Sequence, residues 1–474
     1  MSTDFPLFPT WEGHAPALEQ FQIEVEQSLE EGRDPAAVDR IRAEAAGQVT
    51  EERLVQLGRA LQLAPMRPDF PHVEPSDLEA IHSERPHGPH QFPIAYGHDE
   101  LSRRMHGAWL ARCIGCALGK PVETFMVAFH GLSSKERTKR YLTAVSAGEY
   151  PIRDYIPGTS PASAETGPVY CPASQREHIR FMETDDDIRY TVLGQRILLR
   201  YGSGFTTGDV MREWWDQLGY NNLFTAETQA YRNMVIRYRA HGNAEAWAHV
   251  DWNWVATHQN PYREWIGAQI RADSWGYAAP GNPALAAEFA WRDAWLSHVK
   301  NGIYGEMFCA AMIAAGFALG DPLAVIEAGL TEIPRTSRLA VEMRAVIGIC
   351  QAHGCRFDAC EAVLDEIYAR LGHYHAVHTI NNAALVVAAL LLGGGDFEKT
   401  VTLAVMGGWD TDCNGATAGS IWGAMFGPDS IPKKWSDPLH DTLYSAIPDY
   451  HPIAISECAK ISLQIAEKIA TEKH

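Results

Sequence analysis

Long apolar runs and an apolar leader are missing from this sequence of 474 residues. The longest apolar stretch, Ala383 to Gly395, is shorter than the about 20 residues that span a bilayer, so it predicts a buried core helix and no membrane partner. The first residues contain no basic stretch followed by an apolar run. We therefore expect no signal or transit peptide, and the predicted location is the cytoplasm.

Basic residues are also fewer than acidic ones. The chain has 40 Lys and Arg against 59 Asp and Glu, a formal net charge of −19. Such a chain repels polyanions at long range, so nucleic acid is not expected as a partner. A diphosphate ligand would need local help from cations, helix N-termini or backbone amides.

The cysteines form no recognisable framework. There are nine, an odd number, scattered along the chain. Cys113 and Cys116 form a C-x-x-C pair, but no second such pair or His pair follows at zinc-site spacing. We expect neither a disulfide scaffold nor a structural zinc.

Alternating strand patterns do not recur, whereas apolar residues at helical spacing fill the chain from about residue 98 to 468. Helical spacing also covers residues 15 to 63, and a segment rich in Pro and His follows it. The sequence therefore predicts an all-α fold with two parts. Residues 1–97 form a helical N-terminal extension with a Pro-rich linker, and residues 98–468 form the catalytic domain. A homo-oligomer is possible.

Two acidic turns interrupt the helical pattern, and the first is at residues 183–187. Asp185, Asp186 and Asp187 directly precede the apolar helical face that begins at Ile188. A helix cap with Thr184 as the N-cap is the simpler explanation, because acids suit the first turn. Three adjacent aspartates repel one another more than a cap requires, and a cation would relieve that repulsion.

The second acidic turn contains Asp410 and Asp412 and follows the apolar residues Leu403 to Val405. Four glycines then recur every fourth residue, from Gly415 to Gly427, which lets a neighbouring backbone approach one helix face closely. Carboxylates that enter the protein interior need hydrogen bonds or a metal ion.

Clustered oxygen ligands without His favour hard cations, so Mg²⁺ is preferred, with Mn²⁺ or Ca²⁺ possible. If the two turns meet, two ions about 3.5 to 4 Å apart become plausible. Each turn alone is also compatible with an ordinary solvated surface, because short acidic runs are common there.

A third motif links these turns to a known family. Gly107-Ala108 and the run GCALGKPVE, ending at Glu123, are similar to an opening helix followed by a G-D-A-x-G-x-P-x-E loop. In this order, the three motifs resemble those of the ADP-ribosylglycohydrolase family. The resemblance implies a compact orthogonal multi-helix domain, and it implies hydrolysis of a glycosidic bond to ribose.

The resemblance also implies roles for individual residues. Glu123, Asp186 and Asp412 are the predicted catalytic residues, with Glu123 stabilising charge or acting as general base beside the ribose and an aspartate holding the attacking water. The predicted ligands of two Mg²⁺ ions are Thr184, Asp185, Asp186, Asp410, Asp412 and Cys413.

Three positions depart from the family pattern. Cys413 stands where the family usually has Thr or Ser, and a neutral thiol is a poorer ligand for a hard cation. Cys116 replaces the aspartate of the G-D-A loop. Asp187 stands where the family often has Thr, and it adds negative charge.

Looser similarity predicts further contacts with the substrate. His298 is expected to touch a diphosphate, although packing between helices is an equal alternative. Trp409 could stack on a base, but tryptophans are more often core residues. The predicted substrate-binding residues are Glu123, Gly267, Arg271, Ser297, His298, Asn301 and Trp409.

The predicted function is metal-dependent hydrolysis at the ribose anomeric carbon of an ADP-ribosylated or ADP-ribose-like substrate. One alternative is hydrolysis of another riboside or nucleoside, because the motifs specify ribose hydroxyls and not the leaving group. A second is an inactive ADP-ribose-binding protein. The retained Glu123 and both acidic pairs weigh against this last alternative, since binding alone does not need so costly a cluster of like charges.

Overall fold

The computed structural model describes residues 16–47, 49–238, 247 and 249–472. Helices dominate this part of the chain, and one two-stranded antiparallel sheet pairs Thr442–Leu443 with Ile453–Ala454. The all-α prediction is confirmed. In chain order the helices are α1 (Ala17–Glu30), α2 (Pro35–Glu44), α3 (Glu51–Gln62), α4 (Leu78–Glu84), α5 (His98–Gly119), α6 (Ser134–Val145), α7 (Ser163–Thr166), α8 (Asp186–Tyr201), α9 (Thr207–Gln217), α10 (Thr225–Arg237), α11 (Trp252–Thr257), α12 (Asp273–Ala278), α13 (Pro283–Ala294), α14 (Lys300–Gly316), α15 (Pro322–Leu330), α16 (Arg338–Ala352), α17 (Cys360–Leu371), α18 (Thr379–Gly393), α19 (Phe397–Met406), α20 (Thr411–Phe426), α21 (Lys433–Ser436) and α22 (Ile455–Thr471).

Three helices occupy the centre of the molecule. Nearly every residue of α14 and α20, and every residue of α18, is buried. A helix that is apolar on all sides must be enclosed by other helices, and each large apolar side chain stabilises the fold by about 1.5–3 kcal/mol when buried. The predicted core helix is therefore α18. None of the helices in the described part of the chain combines the length and hydropathy of a membrane span.

Helices α5 and α20 lie antiparallel with their backbones in direct contact. A methyl group added to Gly115 would overlap the carbonyl of Gly415, and one added to Gly423 would overlap the carbonyl of Gly107. Glycine is required on both helices because any side chain would force them apart. The predicted close approach at the glycine face is found here, and it brings the end of α5 against the start of α20.

The N-terminal helices α1 to α3 share a small apolar cluster, and buried ion pairs tie them to the larger body. Arg263 Nη1 lies 2.7 Å from Glu24 Oε2, and Arg263 Nε lies 2.8 Å from Glu31 Oε1. The division into an extension and a catalytic domain stays a prediction. The apolar cluster contains Phe21, Val25, Val38, Leu54, Leu57 and Leu61.

Candidate active site

The two acidic turns meet in the folded chain. Asp185 precedes α8 and Asp410 precedes α20, so both turns lie at helix N-termini, where the helix dipole favours negative charge. Among the described residues, three groups of side chains place possible ligand atoms within 4.8 Å of one another. The groups are Cys116 with Asp185 and Asp412, Glu123 with Asp410 and Asp412, and Asp185 with Asp186 and Asp187.

Glu123 reaches this centre from a short 3₁₀ turn, Lys120–Phe125, that continues α5. The turn is fastened to the second acidic turn because Thr411 Oγ1 donates to the Gly119 carbonyl at 2.8 Å. The helix contact between α5 and α20 therefore fixes Glu123 beside Asp412.

Positive side chains surround the first acidic turn. Lys120 Nζ donates to Asp185 Oδ2, and Arg112 Nη2 lies 3.4 Å from Asp187 Oδ1. Arg112 also pairs with buried Asp273, with 2.7 Å between Nη1 and Oδ2. Asp185 and Asp187 thus have cationic partners supplied by α5 and by the turn that continues it.

Thr184 lies at the rim of the same turn and is exposed. Its Oγ1 accepts a hydrogen bond of 3.3 Å from Arg189 Nη2. The predicted role of Thr184 as a metal ligand stays a prediction.

The second acidic turn has no ion-pair partner among the described residues. Its backbone is held by Asn382 Oδ1, which accepts from Asp410 N at 3.1 Å and from Asn414 Nδ2 at 2.8 Å. Asp412 is only 3% exposed, and its Oδ1 has no hydrogen-bond partner in the described chain. A buried carboxylate oxygen in this state is destabilising unless a cation or a proton satisfies it.

Among the aspartates of the two turns, only Asp185 has a lowered pKa. Burial acts to raise the pKa of Asp185, but the adjacent Lys120 ammonium outweighs burial and lowers it. Burial and then the charge of Asp185 raise the pKa of Asp412 to about 7 and that of Asp186 to about 6. Burial and the charge of Asp412 also raise the pKa of Asp410. Burial and the charge of Asp185 also raise the pKa of Asp187, so unbalanced negative charge remains in both turns.

These donors fit a divalent cation. The group of Glu123, Asp410 and Asp412 offers only carboxylate oxygens, which Mg²⁺, Mn²⁺ and Ca²⁺ prefer. The unpartnered Oδ1 of Asp412 gives a cation a ligand that nothing else in the described chain occupies.

The two substituted cysteines differ in their placement. Cys116 belongs to a group with Asp185 and Asp412, whereas Cys413 belongs to none of the three groups. Both thiols are fully buried, and burial raises the pKa of each. They are therefore neutral thiols at physiological pH, and ligation by Cys413 stays a prediction.

Four predicted substrate-binding residues form one buried chain of hydrogen bonds. Arg271 Nη1 donates to the Gly267 carbonyl at 3.1 Å, and Arg271 Nη2 donates to Ser297 Oγ at 3.2 Å. Ser297 Oγ lies 2.8 Å from His298 Nδ1. His298 is fully buried, and its Nε2 has no partner in the described chain.

Acidic side chains already pair with Arg271. Its Nη1 lies 2.5 Å from Glu227 Oε1, and its Nε lies 2.6 Å from Asp293 Oδ2. Burial raises the pKa of Glu227 to about 7, and the charge of Asp186 contributes to this rise, so the network adjoins the acidic centre. A substrate phosphate would have to compete with these carboxylates for the guanidinium.

The other two predicted contacts lie apart from this network. Asn301 Nδ2 donates to Glu74 Oε1 and to Glu264 Oε1, both at 2.8 Å, so its amide joins the linker to the helical body. Trp409 stacks on Tyr368 with ring centroids 4.2 Å apart, and it is 5% exposed. Both side chains have structural partners, and their contact with substrate stays a prediction.

Sequence reasoning assigned no role to Lys120, Arg112 or Asp273. A lysine within the GCALGKPVE motif and an arginine inside the apolar helix α5 were the available signals, because a charge on a buried helix face needs a partner. Exposed Tyr170 was also missed. Its backbone N–H donates to the Pro121 carbonyl at 3.1 Å, which holds it near the Glu123 turn.

The molecule also has a cavity of about 390 Å³ between α1, α3 and α11. None of the three carboxylate or thiol groups found in the described chain contributes to its lining. The cavity is therefore separate from the acidic centre.

The fold and the site together define an all-α protein with a buried carboxylate centre where helix N-termini meet. A family model for ADP-ribosylglycohydrolase matches residues 97–469. The chain belongs to this family, and with it to the glycosyl hydrolases.

A solved structure described as an ADP-ribosylglycohydrolase-related protein complex is also similar to this chain. The two are 21% identical with a TM-score of 0.46, and the match covers 78% of this chain and 99% of the other. No curated protein sequence matches this chain.

Proposed function

We propose that this chain is a metal-dependent hydrolase that cleaves the glycosidic bond at the ribose anomeric carbon of an ADP-ribosylated or ADP-ribose-like substrate. The observation that carries the proposal is Asp412 Oδ1, a buried carboxylate oxygen without a partner where the two acidic turns meet. Membership of the family supports the reaction class.

The metal is Mg²⁺ in this proposal, with Mn²⁺ or Ca²⁺ as alternatives, held by Glu123, Asp410 and Asp412. A divalent cation bound there would orient ribose hydroxyls and polarise a water molecule. A cation also offsets the repulsion between an anionic substrate and a chain whose net charge is −19.

Glu123 and Asp186 are the members of the centre that reach the substrate. Both are partly exposed, whereas Asp185, Asp410 and Asp412 are buried. Glu123 stabilises positive charge that develops on the ribose ring, and Asp186 orients the attacking water and accepts its proton. The buried carboxylates keep these two groups in position.

The test is release of free ribose or ADP-ribose from a panel of compounds, with Mg²⁺ and with EDTA. The panel contains ADP-ribosyl-arginine, ADP-ribosyl-serine, other ADP-ribose derivatives and simple nucleosides. We expect turnover of an ADP-ribosyl compound that EDTA abolishes and fresh Mg²⁺ restores. An Asp412→Asn protein serves as the inactive control.

The other outcomes distinguish the alternatives. Turnover of simple nucleosides alone would assign the same centre to a different riboside. Tight ADP-ribose binding with no turnover of any compound would indicate a binding protein and refute the proposal.

A further inference from the structure

The acidic centre contains a cation of its own. Lys120 Nζ contacts Asp185 Oδ2, and the two side chains are 11% and 2% exposed. A lysine is charged at neutral pH, and a carboxylate partner at hydrogen-bonding distance favours the charged form. The side chain therefore remains an ammonium.

Asp185 is a member of two of the three ligand groups, and both of its oxygens are engaged. Lys120 donates to Oδ2, and the Asp187 backbone N–H donates to Oδ1 at 3.0 Å. One of these two groups also relies on Cys116, whose sulfur is a poor ligand for a hard cation. The charge of Asp185 is therefore balanced by the protein itself.

The third group is different. Glu123, Asp410 and Asp412 supply three carboxylates, and no Lys or Arg pairs with any of them in the described chain. The carboxylates of Asp410 and Asp412 lie close enough to repel each other unless a cation or a proton lies between them. These three carboxylates carry negative charge that a divalent cation would balance. The unpartnered Asp412 Oδ1 would be one of its ligands.

We infer that Lys120 replaces one of the two cations that the paired acidic turns would otherwise hold, so the centre binds a single divalent ion at Glu123, Asp410 and Asp412. The inference rests on the proposed function and deepens it. The ammonium supplies a permanent positive charge on the Asp185 side, and the exchangeable ion is confined to the Asp412 side.

The first test counts ions on the unmodified protein. Metal-free chain is titrated with Mn²⁺, bound metal is measured by equilibrium dialysis, and the bound ion is examined by electron paramagnetic resonance at low temperature. We expect one Mn²⁺ per chain with the spectrum of an isolated ion. Two ions per chain with a spin-coupled spectrum would overturn the inference.

The second test uses Lys120→Met, which keeps the length of the side chain and removes its charge. We expect this variant to bind a second Mn²⁺ and to show spin coupling. The matched control is Lys139→Met, because Lys139 is half-exposed and pairs with Glu361 at 2.8 Å on the surface. A Lys120→Met protein that still binds one ion would show that Lys120 does not exclude a second ion, which would overturn the inference.

The outcomes also separate this inference from the proposed function. Two coupled ions in an active protein would refute the inference alone. No Mn²⁺ binding in the unmodified protein would refute both. If Lys120→Met fails to fold, the ion count of the unmodified protein decides.

Discussion

The two acidic turns are alike in sequence and opposite in their surroundings. Both place aspartates at the N-terminus of a helix that enters the core. In the first, Asp185 pairs with Lys120 and Asp187 with Arg112, whereas the second has amide partners for its backbone and no ion pair in the described chain. Two carboxylates of the first turn thus have a cation supplied by the protein, and those of the second turn have none in the described chain.

This difference shows what a local acidic motif can and cannot reveal. A run of aspartates at the start of a helix indicates a local concentration of negative charge, but the cation that balances it can come from any part of the fold. Lys120 and Asp185 are 65 positions apart. Substitutions that affect the two turns differently test the comparison most directly.

The largest effect is expected from Asp412→Asn. This change removes the charge of the unpartnered carboxylate, so we expect kcat to fall about 10³-fold, equivalent to about 4 kcal/mol in the barrier. The metal-free protein should lose no stability, because one of several mutually repelling carboxylates is gone. Steady-state hydrolysis and urea denaturation measure the two quantities. An Asp358→Asn surface variant is the control, and a kcat within tenfold of the unmodified protein would contradict the assignment.

The same substitution in the first turn should act on stability. Asp185→Asn leaves the Lys120 ammonium buried without its partner, so we expect the free energy of unfolding to fall by about 3–5 kcal/mol. The double variant Lys120→Met/Asp185→Asn should recover most of this loss, because it removes both charges. Urea denaturation of the metal-free proteins measures the effect. Equal losses in Asp185→Asn and Asp412→Asn would remove the difference between the turns.

A smaller effect on activity is expected from Glu123→Gln. Glu123 belongs to the Asp412 side and is partly exposed, so loss of its charge should lower kcat about 10²-fold without lowering stability. Glu183→Gln is the matched control, because Glu183 precedes the first turn and bonds to Ser174 at 2.6 Å. A similar loss of kcat in both variants would show that Glu123 has no special role.

A fourth prediction is a pH dependence of stability near the second turn. His378 caps α18, and its carbonyl accepts from Asn382 Nδ2 at 2.8 Å, the amide that supports Asp410. Burial lowers the pKa of His378 to about 3. Its contribution to stability is therefore complete above pH 6.5, the usual pKa in the unfolded chain, and is lost as the pH falls toward 3.

Urea denaturation between pH 7 and pH 4 measures this contribution. The slope from His378 should approach about 1.4 kcal/mol per pH unit, and His378→Asn, which keeps a capping side chain, should remove it. An unchanged acid profile in that variant would show that His378 does not titrate in this way.

Much of the fold was predictable because it rests on local patterns. Helical periodicity predicted the all-α class, and the regular glycines of α20 predicted a close helix contact. The meeting of the two acidic turns was conditional in the sequence, since no local pattern brings residues so distant in the chain together. The family resemblance supplied the grouping with Glu123.

The partners of buried charges were not predictable in the same way. Arg271 was predicted to bind the substrate. In the structure it pairs with Glu227 and Asp293, which are 44 and 22 positions away in the chain. No role was predicted for Arg112 or Lys120, because their partners Asp273 and Asp185 lie far away in the chain. Sequence periodicity shows which helix faces are buried, but a buried charge can be interpreted only when its opposite charge is located.

The backbone contact between α5 and α20 has a consequence for which parts of this chain can vary. Lys120 and Glu123 follow the end of α5, and the second acidic turn begins α20. The close packing of these two helices therefore sets the distance between Glu123 and Asp412. The segment from residue 126 to 182 enters and leaves beside this frame. Because the backbone contact between the two helices does not involve this segment, a change in its length would leave the spacing of Glu123 and Asp412 unaltered.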